Sequence, residues 1–279
     1  MGKQSGSPLN PSAGPDLGQD RAHSARMYDY FLGGKSNYAV DREVAETVTR
    51  LFPAAETAAR ANRAFMHRSV RCLARVVGVR QFIDVGAGMP LSPNLHEVAH
   101  SAAPECRVVY VDNDPIVLVY ADALLGGTAD GTTCCVRAEA TDPAAVSDTV
   151  RSEGVIDFGE PVALSLHAVL EYVTGDREPY RIVRRLMQEM PSGSYLSLSH
   201  ATGDFAPDAM KAVVDLYAQA GTSAQVRTRA EVLRFFHALD LIDPGLVVAH
   251  RWRPDPASGL LTDNQVSLYA GVARKSSAL

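Results

Sequence analysis

Cysteine is scarce in this 279-residue chain and follows no binding pattern: there are four, two of them adjacent (Cys134 and Cys135), and none forms a C-x-x-C pair. That excludes a disulfide framework or a thiolate zinc centre and predicts a cytoplasmic protein with reduced thiols. Long apolar runs are missing as well. None approaches the roughly 20 residues needed to span a bilayer, and the N-terminus has no apolar signal core, so no secretory leader is expected. Excess positive charge is the third absence: 27 Lys and Arg stand against 32 Asp and Glu, a formal net charge of −5. This argues against wholesale binding to nucleic acid or a membrane surface and leaves room for a local basic patch. What remains is an ordinary globular composition, 46% hydrophobic and 21% charged, long enough for one large α/β domain with or without an appendage.

The chain is organised around Gln81-Phe-Ile-Asp84-Val-Gly86-Ala-Gly88-Met-Pro90. An apolar strand ends at Asp84, turns through two glycines and runs into a helix start, with Ser92 as the expected N-cap and Pro93 in the first turn. Glycine is required in such a turn because a β-carbon would block a ligand's approach to the backbone. Strand–helix alternation continues downstream. Strands are expected at 107–111, 132–137, 161–166 and 194–199, and helices open at Pro115, at Pro143 (capped by Asp142) and near Asp176. A helix over 208–220, a Thr228/Glu231 capping box and two closing strands, near 245–250 and 265–273, follow. Such alternation gives a parallel sheet with helices on both faces.

Upstream, residues 1–20 are rich in Gly, Ser and Pro and read as a disordered tail. The segment from Ala25 to Tyr38 packs two tyrosines, Gly33-Gly34 and Lys35 between short helical pieces. It reads either as a docked helix ended by a glycine cap or as a lid hinged at the glycine pair. From Asp41 to Val77 the spacing is helical, broken at Phe52-Pro53. Arg60, Asn62, Arg63, His67, Arg68 and Arg71 there make a basic face, expected to be solvated.

In an open α/β sheet the ligand sits at the carboxyl ends of the strands. Asp84, Gly86 and Gly88 end the first strand, Asp112 the second, Glu139 the third, and His167 to Glu171 the fourth. Asp112 falls about 20 residues past the glycines, where an acid accepts ribose hydroxyls. A dinucleotide fingerprint needs a third glycine, and Leu91 stands in that place. Asp84 also repels a pyrophosphate but attracts an ammonium and a sulfonium. D-x-G-x-G followed by a second strand-end acid therefore fits S-adenosylmethionine better than NAD. His96-Glu97-Val-Ala-His100 matches H-E-x-x-H, the zinc-hydrolase helix, but the metzincin continuation fails at Ala103 and Cys106, and a solvated helix face is the plainer reading. No metal is expected. His167, with Glu171 and Tyr172 beside it, points to the methyl-donor end or is a hydrogen-bonded structural group; His200 is a weaker candidate. Arg251, Trp252 and Arg253 suggest a packed surface tryptophan.

The blocks Ala25 to Asn37, Ala61 to Phe65, Gln81 to Gly88, His96 to Ala99 and Val109 to Pro115 resemble the actinobacterial S-adenosyl methyltransferase family, formerly listed as a domain of unknown function. Gly193 to Leu196, Ser199 to Thr202, Arg229 to Val232 and Arg251 to Pro254 extend the resemblance over nearly everything after the tail. It implies a Rossmann-like class I methyltransferase fold: a seven-stranded, mostly parallel sheet with an antiparallel last hairpin, helices on both faces and an N-terminal helical lid. The domains would be a tail over 1–20, a lid over 21–78 and the methyltransferase domain over 79–279. S-adenosylmethionine would be the donor. Its methionine moiety would lie against Gly86, Ala87 and Gly88 with Asp84 near the ammonium. Asp112 would hold the ribose, Asn113 would flank the adenine, and Glu139 and Ala140 would sit at its amino group. Arg26, Tyr28, Lys35 and Asn37 would close over it. The chain departs from the family at Glu139-Ala-Thr-Asp142 and at His167 and Glu171, on the acceptor side.

The function expected is methyl transfer to a small-molecule acceptor by in-line displacement at the sulfonium. His167, Tyr28 and Glu171 are the candidate bases if the acceptor must lose a proton. A donor-binding regulator without turnover and an NAD(P) oxidoreductase are the alternatives. Oligomeric state is left open, a homodimer included.

Overall fold

The computed structural model describes residues 19–125, 133–176, 178–256 and 258–276. All but the last two residues of the expected tail lie outside them. Three helices precede the sheet: α1 (Ser24–Phe31), α2 (Ala39–Leu51) and α3 (Ala55–Cys72), the last continuing through a π-helical turn at Leu73–Val77. The sheet then alternates with helices: β1 (Gln81–Val85), α4 (Leu95–Ala102), β2 (Arg107–Asp112), α5 (Pro115–Leu125), β3 (Thr133–Arg137), α6 (Pro143–Glu153), β4 (Ala163–His167), α7 (Glu178–Glu189) and β5 (Tyr195–Ala201). The C-terminal part holds α8 (Pro207–Gln219), α9 (Arg229–Leu233), β6 (Asp240–Leu241), β7 (Val247–Val248), α10 (Asp263–Val266) and β8 (Leu268–Arg274).

The strand order is β3-β2-β1-β4-β5-β8-β6, with β7 also on β8. Pairing is parallel from β3 to β5 and antiparallel wherever β8 takes part. The chain runs outward from β1 to β2 and β3, then crosses back to β4 on the other side of β1, so the strand order reverses there and a crevice opens beyond its carboxyl end. The expected mostly parallel sheet is present, with eight strands rather than seven. The seventh is split: β6 pairs with Ala273 and Arg274 and β7 with Tyr269 and Ala270, both on β8. Asp243-Pro244-Gly245 lies between them, and a proline with no N–H interrupts a ladder. The strand expected over 245–250 shrinks to two residues, because the chain turns into a 3-10 helix at Ala249–Arg251.

The central strands are buried on both faces; Phe82, Val108, Val109, Val111, Leu164 and Leu166 are fully enclosed, which is why they read as near-continuous apolar runs. α3 joins this core through Phe65, Met66, Val70 and Leu73. α1 and α2 build a second cluster with α8, centred on Met27, Phe31, Val48 and Tyr217.

Three local expectations are corrected. The N-cap of α4 is Asn94, not Ser92, and Pro93 precedes the helix. Glu97 accepts the Asn94 amide (2.5 Å) and the Ser92 hydroxyl (3.0 Å), so the capping-box acid decides the start. The α3 basic face is only partly solvated. Arg68 is buried, donating to the Trp252 (2.9 Å) and Ala249 (2.7 Å) carbonyls and to Ser258 Oγ (2.9 Å). Trp252 is a core residue with no exposed surface, held edge-on by Phe65 at 5.4 Å.

Candidate active site

Beyond the carboxyl end of β1 lies a cavity of about 370 Å³, within the size range of small-molecule sites. Gly86 and Gly88 line it at φ +73° and +68°, a region that an L side chain enters only with strain. A Cβ on Gly86 would fall on the Val169 side chain, so the turn needs glycine twice over. Its amides are oriented from the next strand: Gly86 N donates to Val111 O (2.8 Å) and Gly88 N to Asp112 Oδ2 (2.8 Å). Asp112 also accepts the Asp114 amide (3.0 Å). Its carboxylate is thus fixed at the cavity wall, with burial pushing its pKa up.

Asp84 faces the same space. Burial raises its carboxyl to about 7, Arg63 pulls it down and Asp112 pushes it up. Arg63 reaches in from α3 and ties down the chain after the turn through the Leu91 and Pro93 carbonyls. Leu91, standing where a dinucleotide turn has glycine, thus serves a clamp. Asn113, Glu139 and Ala140 line the rim, and Asn113 Nδ2 donates to both Glu139 carboxylate oxygens at 3.0 Å.

Of the residues expected to close over the ligand, only Tyr28 lines the cavity. Arg26 is buried in an ion pair with Asp41 (3.1 Å). Lys35 is exposed, and Asn37 donates to Asp29 Oδ2 (2.7 Å) and the Gly34 carbonyl (3.1 Å). The family-specific block instead builds itself. Gly33 and Gly34 end α1 in a Schellman motif, their amides on the Tyr30 (2.9 Å) and Asp29 (2.8 Å) carbonyls, and a Cβ on Gly34 would collide with the Asp29 carboxylate. The glycine pair is accordingly the packed helix end of the first reading. His23, Ser24 and Ala25 cover the cavity from the start of α1.

Tyr28 and His167 are poorly suited to take a proton. The Tyr28 hydroxyl donates to Ala59 O (3.1 Å) and accepts from Asn62 (2.9 Å), and burial raises it to about 12. His167 hydrogen-bonds Ser197 Oγ (2.9 Å), and burial, then Arg63 and His67, lower it to about 3. Glu171 differs. It is nine-tenths buried, burial raises it to about 7, and its Oε2 has no hydrogen-bond partner. His200 is a core group between Ala201 O (2.8 Å) and Arg227 (2.7 Å).

The H-E-x-x-H helix is accounted for without a metal. His96 meets the Tyr110 hydroxyl (2.9 Å), His100 the Cys106 carbonyl (2.9 Å), and Glu97 caps the helix. His96 is buried rather than solvated. Sequence reasoning missed Arg63, Asn62 and Met66 as cavity residues. Their i, i+1, i+4 spacing on α3 was the available signal, hidden among neighbouring arginines.

A model of the S-adenosyl methyltransferase family matches residues 11–276. A DUF574 family protein from Streptomyces avermitilis MA-4680 is 44% identical, with a TM-score of 0.90, over 93% of this chain and all (100%) of that one. A candidate methyltransferase from Thermobifida fusca YX is 34% identical, with a TM-score of 0.87, over 95% of this chain and 100% of that one. No curated protein matches the chain.

Proposed function

The chain belongs to the S-adenosyl methyltransferase family, and from that premise we propose that its β1 cavity holds S-adenosylmethionine between Asp84, Arg63 and Asp112. The observation carrying this reading is the sign and placement of charge on one wall. A partly buried carboxylate and a guanidinium line the cavity beside a glycine turn, and together they complement an ammonium and a carboxylate. Asp112 is fixed one strand further on, at the place of a ribose acceptor. The residues therefore fit the donor. Arg63 would take its carboxylate, Asp84 its ammonium, and Asn113, Glu139 and Ala140 its base.

When bound, the donor supplies an activated methyl group on a sulfonium. The chain's own part is to orient and enclose. The glycine turn lets the ligand approach the backbone, and His23 to Tyr28 keep water out from above. Among the candidate bases the proton-accepting role falls to Glu171, whose raised pKa is matched to neutral pH. His167 and Tyr28 act as neutral wall groups. We read residues 21–78 as a cap, with α1 and α2 as its covering part. The four free cysteines agree with a cytoplasmic setting. Among the described residues no helix is long and apolar enough to cross a membrane.

Calorimetry with S-adenosylmethionine, S-adenosylhomocysteine and NAD tests the reading. The first two should bind with micromolar affinity to the wild type and at least tenfold more weakly to Asp112→Ala. Binding of NAD in preference to both would overturn it.

A further inference from the structure

A second cavity, of about 130 Å³, abuts the first. The two share Tyr28, Asn62, Ala168 and Tyr172 as wall residues. It lies among α1, α2, α3, α8 and the ends of β5 and β8, and its lining is apolar and aromatic apart from a few polar groups. Among the described residues that line it, Glu171 is the one acidic or basic side chain apart from the weakly acidic tyrosines. The free oxygen of Glu171 is buried without a hydrogen-bond partner. Burying a carboxyl in an apolar pocket with nothing bound to it is unfavourable, so the group calls for a ligand that brings the missing donor.

We propose that this second cavity binds the methyl acceptor, and that the acceptor is a small apolar amine whose nitrogen sits at the Glu171 carboxyl. The inference rests on the donor reading above. Size sets the scale: a cavity of roughly 150 Å³ holds one benzene-sized ring, so a single ring or a short branched chain fits. Charge sets the class. An anionic acceptor would be repelled by the ionised carboxylate. A cation is neutralised by it in a cavity lined by the aromatic residues Tyr28, Phe31, Phe52, Tyr172 and Tyr217, a residue type whose rings attract cations. The other ionisable groups acting on Glu171 are Arg227, which favours its ionised form, and those three tyrosines. The Tyr172 and Tyr217 rings meet edge to face, their centroids 6.1 Å apart, and Glu171 is the acceptor an incoming ammonium meets.

Glu171 then takes one proton from the ammonium: an N–H bond breaks, an O–H bond forms, and the nitrogen lone pair is freed. That lone pair attacks the methyl carbon, the N–C bond forming as the C–S pair returns to sulfur. The proton on Glu171 passes to solvent.

The test is calorimetry with benzylamine, benzyl alcohol and benzoate on the full chain saturated with S-adenosylhomocysteine. Wild type, Glu171→Gln and the cavity-filling Ala58→Phe are compared. Benzylamine should bind best to the wild type, at least tenfold more weakly to Glu171→Gln, and not at all to Ala58→Phe, with S-adenosylhomocysteine affinity unchanged in both. At pH 6, repeating the titration in buffers of different ionisation enthalpy should show release of about one proton on benzylamine binding to the wild type. This readout needs no variant. Stronger binding of the alcohol or the benzoate, equal benzylamine binding by Glu171→Gln, no proton release, or no benzylamine binding would each overturn the proposal. Failure of the donor reading is separate, because S-adenosylhomocysteine itself would then not bind.

Discussion

Asp84 concentrates the conflict between stability and binding in one side chain. Its carboxyl is raised to about 7, chiefly by burial. The unfolded chain therefore holds its proton less tightly than the folded one. Stability from this group is complete below the unfolded value near 4 and is lost as pH rises through 7. Asp84→Asn should be more stable than the wild type at pH 8, by on the order of 1–3 kcal/mol, and no more stable at pH 4; thermal melts at the two pH values check this. The same substitution should weaken S-adenosylmethionine binding. It should also flatten a pH profile that in the wild type strengthens toward pH 7, where the ionised carboxylate meets the ammonium. A substitution that lowers stability at pH 8 and leaves the affinity profile intact would remove Asp84 from the donor site.

Among the elements, the C-terminal strand is bound to the sheet's flank by a buried cation. Lys275 Nζ, just past β8, donates to the carbonyls of Met187 (2.8 Å), Gln188 (3.2 Å) and Met190 (2.7 Å). These carbonyls close the end of α7, where a cation also meets the negative end of the helix dipole. Lys275→Met keeps the apolar stem and removes the cation from all three carbonyls, of which Met187 keeps the Met190 amide (3.3 Å). It should cost about 2–4 kcal/mol, read as a lower urea midpoint with unchanged m, while leaving the affinity of the distant β1 cavity within twofold. Sequence legibility divides at this scale. β1, its glycine turn, Asp112 and the Asp142–Pro143 start of α6 were legible because each is set by neighbours a few residues away. Asp142 does accept the Ala145 amide (3.1 Å). Arg68, Trp252 and the split of the last sheet edge were not legible, because their environments come from segments far along the chain. Arg68 and Trp252 meet across 184 residues, and no local pattern separates such an arginine from a solvated one.

At the scale of the whole molecule, a polar chain runs from α1 through α3 to the sheet. Tyr28 on α1 receives Asn62 of α3 (2.9 Å), Asn62 Oδ1 receives Ser199 Oγ of β5 (2.6 Å), and Ser199 Oγ receives the amide of Ala168 (3.0 Å). Ala168 sits at φ +54°, on the wall common to both cavities. The outer end of α1 depends on Asp41, which has no exposed surface and accepts from Arg26 (3.2 Å), the His23 amide (2.9 Å) and the Tyr38 amide (2.8 Å). α1 thus has an inner anchor on the sheet and an outer anchor on Asp41. The two should fail separately. Asp41→Asn removes the buried carboxylate that Arg26 and two backbone amides share, a loss of about 3–5 kcal/mol at that site. The sheet core does not share those contacts, so the loss should appear as local opening. Hydrogen exchange should then rise across 24–31 in Asp41→Asn while β1, β2 and β4 keep wild-type protection. S-adenosylhomocysteine should bind more weakly and should restore part of the protection in α1, because His23, Ser24 and Ala25 form the cavity's roof. Exchange that rises equally in the cap and the sheet would mean one cooperative unit, and α1 would then be part of the fold's stability rather than a cover over the donor.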